Sequence, residues 1–318
     1  MNFMPRVLIA RILIALGLAS TPVYAEPRSD LWAPAVSVLL PGFDQWMHQD
    51  YGAAAAYSGI WLGGGLVASS AKKAIEARVD AEGDGVNVKI DTRDDTERRY
   101  LLGGQLSFAA GSYSALHAFR SAADSRREDG QYEFLRDKVT VQDTVLAPFD
   151  FSYLARPTTY IPLGLMGAVA VASARSDAEG YQKVGLRGSD YAFGGAFSHL
   201  AGTHEEALFR GWMMPLMREY VGGDVMSNAS QSLLFALAHL GSNSIPIPQL
   251  LLGYHLGYVT QRNGWSLGEA AFIHTWWDVF NFLALYSRRE VDLNASQRAG
   301  RTVLKTPALN LPPISFVF

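Results

Sequence analysis

Apolar stretches of helical length alternate with short runs dense in charge along most of this sequence. Tyr51 to Ser69, Leu101 to Phe119 and Thr158 to Ala174 are three such stretches. Charged segments at 71–100 and 120–140 separate them. From Tyr191 onward, four helical segments follow in close succession, at about 191–220, 228–240, 248–261 and 267–286. At ~1.5 Å of rise per residue, the longer stretches approach the ~30 Å thickness of a bilayer core. Hydrophobic residues make up 49% of the chain and charged residues only 18%. Globular chains run nearer ~25% charged, so the balance excludes a disordered chain and argues against an ordinary soluble domain. The expected fold is all-α, a polytopic transmembrane helical bundle with the lipid bilayer as its surroundings. Segment 228–240 is too short to cross alone, because a crossing needs ~20 residues. Positive charge in the tail (Arg288, Arg289, Arg298, Arg301, Lys305) favours a cytoplasmic C-terminus. Both charged loops also carry Lys and Arg with one apolar stretch between them, so charge counting leaves the number of spans open.

Residues 1–25 have the form of a signal peptide: Arg6 and Arg11, the apolar run Ile12 to Leu18, then Val23-Tyr24-Ala25 before Glu26. An uncleaved first helix is the alternative. Either version directs the chain to a bacterial export route, and with the apolar segments to the cytoplasmic (inner) membrane as a multi-pass protein. The expected organisation is a signal peptide at 1–25, an N-terminal membrane region with charged loops at 26–185, a polar-site domain at 186–287 and a basic tail at 288–318. Asp84-Gly85 before Val86–Ile90 suggests a short hairpin in the first loop. The 27 basic and 30 acidic residues leave a formal charge of −3, without a basic footprint for nucleic acid. The absence of cysteine excludes disulfides, thiolate zinc sites and a cysteine nucleophile.

Ionisable side chains inside apolar helices are costly and by default point to function. Five of the 7 histidines fall between 199 and 274. Three clusters stand out, and their depths along their helices, roughly 15–20 Å at ~1.5 Å per residue, are compatible with one intramembrane polar cavity. In Thr203-His204-Glu205-Glu206-Ala207-Leu208-Phe209-Arg210, Glu206 and Arg210 are four apart and can pair. Glu205 is turned about 100° from Glu206 and is left free, where burial favours a general base. A charged helix end at a membrane surface would look the same. In Phe235-Ala236-Leu237-Ala238-His239 a lone histidine ends an apolar helix, which also describes a satisfied core residue. In His274-Thr275-Trp276-Trp277-Asp278, with Asn281 beyond, the polar residues share one face. A buried hydrogen-bonded network that only fixes packing is the other reading of that stripe. Leu208 occupies the place of the second histidine of H-E-x-x-H, so the zincin motif is absent. Glu205, His239, His274 and Asp278 still have the donor types of a catalytic zinc site, which leaves zinc open as a cofactor.

In this order the clusters resemble the CAAX prenyl endopeptidase and bacteriocin-processing family of intramembrane proteases. The family's pattern is E-E-x-x-x-R, then F-x-x-x-H, then H-x-x-x-N or H-x-x-x-D. Here these read Glu205-Glu206…Arg210, Phe235…His239 and His274…Asp278, flanked by Phe209-Arg210-Gly211-Trp212 and Arg262-Asn263-Gly264-Trp265-Ser266-Leu267. The resemblance covers about 190–286. It implies an endopeptidase acting on peptides or membrane proteins. Glu205, helped by His239, would activate a water. His274 and Asp278 would stabilise the oxyanion, and Glu206 with Arg210 would hold the first motif in place. Asp278 departs from the prenyl-processing branch, where Asn is usual, because an ionised Asp cannot donate a hydrogen bond. A zinc-dependent version and a non-catalytic membrane scaffold or immunity protein of the same fold are the competing readings.

Overall fold

The computed structural model describes residues 29–82, 93–175, 181–239 and 246–290. The expected signal peptide, the hairpin at 84–90 and the tail beyond 290 lie outside them. The described residues are helical but for two three-residue strands and the connecting turns. In chain order the helices are α1 (Ser29–Leu39), α2 (Phe43–Met47), α3 (Tyr51–Glu82), α4 (Asp95–Arg126), α5 (Val141–Leu146) and α6 (Pro157–Arg175). After them come α7 (Gly188–Glu206), α8 (Met214–Tyr220), α9 (Asp224–Ala238), α10 (Ile247–Arg262) and α11 (Gly268–Tyr286). Strands β1 (Tyr181–Lys183) and β2 (Arg288–Glu290) pair antiparallel, with Tyr181 opposite Glu290. That short ladder joins the start of α7 to the end of α11.

The two stretches read as charged loops are helical in part, while 130–140 has no helix. α3 runs through Lys72 and Lys73 to Glu82, and α4 extends from Asp95 to Arg126. Lys, Arg, Glu and Ala are good helix formers, so charge density alone did not mark a loop. Lys72 faces Glu76 one turn on at 3.7 Å. The Asp94 side chain caps α4 by accepting from the backbone N–H groups of Thr96 and Glu97 at 2.8 and 3.2 Å.

No described helix is long and apolar enough to cross a membrane, contrary to the expected transmembrane spans. The two 32-residue helices have the length, but Gly, Ser and charged residues dilute their apolar content. α11 carries Glu269, His274 and Asp278 among its aromatics. The surface is nonetheless strongly apolar. Ile60, Leu62 and Leu66 on α3, Ile161, Leu165 and Val169 on α6, and Leu233 and Leu237 on α9 are all exposed. Meanwhile Asp30, Glu97, Arg98, Asp190, Glu206, Arg210 and Glu269 are buried.

Small residues set how closely the helices pack. A Cβ at Gly64 would lie 2.6 Å from the Gly103 carbonyl, and one at Gly103 would lie 2.6 Å from that of Gly64, so α3 and α4 cross backbone to backbone. α4 also packs against α1 and α7, and α11 lies between α6 and α7. Phe119, Tyr132, Leu135, Met214, Phe235 and Trp265 form one buried cluster between these layers. The Asp30 carboxylate fastens α1 to it, accepting from the Tyr132 and Tyr220 hydroxyls at 2.6 and 2.7 Å and facing Arg126 at 3.2 Å. Burial and that carboxylate both push the Tyr132 hydroxyl's pKa up.

The α7–α11 crossing positions the polar site. A Cβ at Gly202 would meet the Thr275 backbone nitrogen at 2.6 Å and its Cα at 2.8 Å. Backbone cannot give way as a side chain can. Gly202→Ala is therefore expected to lose about 1–3 kcal/mol despite the ~1 kcal/mol that alanine adds to helix propensity. Gly195 is exposed on the same helix and a Cβ there meets nothing within 4 Å. Gly195→Ala is expected to gain about 0.5–1 kcal/mol. Denaturant midpoints of the two variants against wild type check both signs.

Candidate active site

Glu205 and Glu206 end α7, and the chain continues without a break into a π-helical stretch, Ala207–Met213, and then α8. Pro215 follows directly. It has no N–H for the Gly211 carbonyl and its ring crowds that oxygen, a local reason for the widened turn. Such single wide turns recur at functional sites. Nothing in the spacing of the motif announces it.

Glu206 and Arg210 are both fully buried and pair at 2.8 Å, as their spacing predicts. Arg210 Nη2 donates to the Gly253 carbonyl on α10 at 3.0 Å, and the guanidinium lies 4.5 Å from the centre of the Phe235 ring. Gln231 donates to that same carbonyl at 3.1 Å and to Asn228 Oδ1 at 2.9 Å. Gln231, Asn228 and Ser232 are buried polar residues of α9 that the sequence reading did not single out. Their signal was available, since polar residues three and four apart share one side of an otherwise apolar helix.

Glu206 Oε1 also accepts from His274 Nδ1, at 2.7 Å. A carboxylate paired with Arg210 acts as an acceptor, which places a proton on His274 Nδ1. His274 Nε2 then faces Glu205 Oε2 at 3.7 Å and Asp278 Oδ2 at 3.8 Å.

His239 is oriented by its own helix end. Its backbone N–H bonds to the Ala236 carbonyl at 3.0 Å in a tightened last turn. The Phe235 carbonyl is thereby left to accept from His239 Nδ1, at 2.7 Å. Unpaired carbonyls at helix ends need such partners, and an F-x-x-x-H spacing supplies one four residues on. His239 Nε2 is left facing Glu205 Oε2 at 3.8 Å. The Phe235 ring packs against both imidazoles, with centroids 4.5 Å from His239 and 5.7 Å from His274.

Two imidazole Nε2 atoms thus converge on one carboxylate oxygen, and that oxygen has no direct hydrogen bond. Gaps of 3.7 and 3.8 Å are too wide for direct hydrogen bonds and suit a bridging water. Burial works to neutralise Glu205, and the sequence gives it no partner on its own helix. The fold sets two imidazoles against it, and in their charged form these work to keep it ionised.

The fold brings Glu205, Glu206, Arg210, His239, His274 and Asp278 into one cluster. Asn281, on the same stripe as His274, is exposed and stands outside it. Three other histidines bond elsewhere: His204 with Gln105 at 2.8 Å, its Nδ1 left without a partner, His199 with the Val145 carbonyl at 2.9 Å and His255 with the Thr158 carbonyl at 2.9 Å. The flank before α11 has a structural role. Asn263 donates to Glu269 at 2.7 Å, and Gly264 and Trp265 turn the chain with φ of 65° and 68°. Trp276 packs on Phe272 and donates to the Pro148 carbonyl at 3.0 Å, a packing position.

Around a tetrahedral zinc with bonds of ~2.0–2.1 Å, donors sit roughly 3.4 Å apart. The donor pairs here are wider, and among the described residues no group of three or more His, Asp or Glu is set to hold a metal ion. The side chains as placed do not fit zinc.

Neither the curated proteins nor the solved structures gave a match to this chain. Residues 188–280 match the family described as Type II CAAX prenyl endopeptidase Rce1-like. That span begins with α7 and takes in every residue of the cluster. Over residues 188–280, and so over the whole cluster, this chain is similar to the type II CAAX prenyl endopeptidase family.

Proposed function

We propose that the chain is an intramembrane endopeptidase of the bacterial cytoplasmic membrane, hydrolysing peptide bonds in peptides or membrane proteins with a water activated by Glu205 and His239. The observation that carries this reading is the convergence of His239 Nε2 and His274 Nε2 on Glu205 Oε2, at 3.8 and 3.7 Å. The exposed apolar side chains of α3, α6 and α9 over buried charged groups support a lipid setting. Segment 186–287 is the proposed catalytic unit, with 26–185 as its membrane support.

A water between Glu205 and His239 gives a proton to Glu205 as its oxygen attacks the peptide carbonyl carbon. His274, its Nδ1–H held by Glu206, presents Nε2–H as imidazolium to the developing oxyanion. One such donor is worth about 3–4 kcal/mol of barrier. Glu205 then passes the proton to the amine nitrogen as the C–N bond breaks. Glu206 and Arg210 are positioning residues that set the His274 ring.

Asp278 is 30% exposed and lies 3.8 Å from His274 Nε2. Asp278→Asn is expected to retain cleavage, since the amide keeps the reach and supplies a donor. Complete loss in that variant would instead mark an ionised Asp278 as the partner of the imidazolium.

The test is complementation of a deletion strain with wild type and Glu205→Ala at matched membrane levels. The variant is expected to fail. Full restoration would favour the scaffold reading. Metal analysis of the purified chain separates the zinc-dependent version: stoichiometric zinc that leaves with loss of function would replace the glutamate mechanism.

A further inference from the structure

A cavity of mixed polar and apolar lining lies apart from the catalytic cluster, between α3, the C-terminal half of α4 and the segment leading into α5. It encloses about 360 Å³ and is lined by Tyr57, His117, Arg120, Ser121, Asp137 and Lys138, among others. Arg120 is its deep wall. The residue is only 9% exposed, yet no carboxylate lies within ion-pairing reach of its guanidinium among the described residues. Its Nε has no hydrogen-bond partner, and Nη2 makes one long bond, 3.4 Å, to the Trp265 carbonyl. A buried guanidinium carries five donors and a fixed charge, and structures ordinarily pair it.

The other two buried arginines among the described residues, Arg98 and Arg210, are each paired with a carboxylate. Arg210, fully buried, has both a carboxylate and a carbonyl. Asp124, an acid of α4 on the cavity lining, pairs with Arg127 at 2.7 Å. Lys138 stands exposed on the cavity lining and makes no ion pair among the described residues. Ser121 adds a hydroxyl whose side chain is equally uncommitted.

We propose that this cavity binds a phosphate group, either free or on a lipid headgroup, with Arg120 as the deep cation and Lys138 as the outer one. A planar fork beside a point charge is the donor set that holds a tetrahedral oxyanion. Asp124 and Asp137, both on the lining, disfavour a dianion and so favour a phosphodiester or a monoanionic phosphate. The volume admits a headgroup as well as a bare ion, since ligand pockets start near ~300 Å³. The site shares no side chain with the catalytic cluster and does not depend on the protease reading.

The test is the melting temperature of the full chain in discs of a phosphate-free galactolipid. Inorganic phosphate is added in one arm, and phosphatidylglycerol replaces the galactolipid in the other. Wild type is expected to rise by roughly 5 °C at saturation in at least one arm. Arg120→Met should abolish that rise. Ser121→Phe, at an exposed position, fills the mouth without touching Arg120 and should abolish it too, which keeps the test decisive if Arg120→Met folds poorly. A rise with inorganic phosphate identifies the free ion. A rise with phosphatidylglycerol alone identifies the lipid headgroup. No rise in either arm, or an equal rise in Ser121→Phe, overturns the proposal.

Discussion

Glu205→Gln is expected to stop the appearance of new N-termini in the membrane proteome while leaving the fold intact. Removing a general base costs about 10²–10⁴ in rate, which is about 3–5 kcal/mol of barrier. The amide has the shape of the carboxylate and can still contact a water, but it cannot take the water's proton. Stability should hold or rise, because Glu205 Oε2 is buried with no direct hydrogen bond and the variant removes a buried charge. The measurement is N-terminal proteomics of cells carrying wild type or the variant at equal levels, with a thermal melt of each purified chain. An identical set of new termini at an unchanged rate would end the role of Glu205 as base. A collapsed melt would show that the residue serves the fold instead.

Arg210→Met should be the most destabilising single substitution in the cluster. Arg210 and Glu206 are both fully buried, so removing the cation leaves Glu206 Oε1 charged in a dry interior with only the His274 N–H to answer it. Breaking a buried pair from one side costs about 3–5 kcal/mol, a large part of the ~5–15 kcal/mol that holds a domain folded. Restoring neutrality with Glu206→Gln in the same chain is expected to recover part of that loss. A double-mutant cycle on denaturant midpoints isolates the coupling. Arg210→Lys keeps the charge but not the second arm that reaches the Gly253 carbonyl at 3.0 Å, so its loss should be intermediate. Equal midpoints for Arg210→Met and wild type would show that the pair contributes nothing to the fold.

The parts of the site that were legible in the sequence are local ones. The Glu206–Arg210 pair and the shared face of His274 and Asp278 follow from helical spacing, and both are met within one helix. The four closing helices lie near their expected bounds for the same reason. Apolar stretches were less informative about environment. Their helices form, but none of the described ones has the length and apolar content of a membrane span. The expected apolar stretches stop short of Lys72 and begin again only at Leu101, because charge is read as marking a loop where Lys, Arg and Glu simply continue a helix.

What the sequence alone determined was the all-helical class, the order of the three polar motifs and the partners that lie one turn apart. Each depends on 3.6-residue periodicity, which needs no knowledge of the rest of the chain. Only the tertiary structure decided which of five clustered histidines face Glu205 and which are bonded elsewhere. His204 adjoins Glu205 in sequence yet bonds to Gln105 on α4, while His274, 68 residues from Glu206, donates to it. That choice depends on how closely α7 and α11 approach at Gly202 and Thr275, and on the wide turn after Glu206. The wide turn has a local cause in Pro215, but the close approach is a steric contact between residues far apart in the chain, and it exists only once the helices have packed.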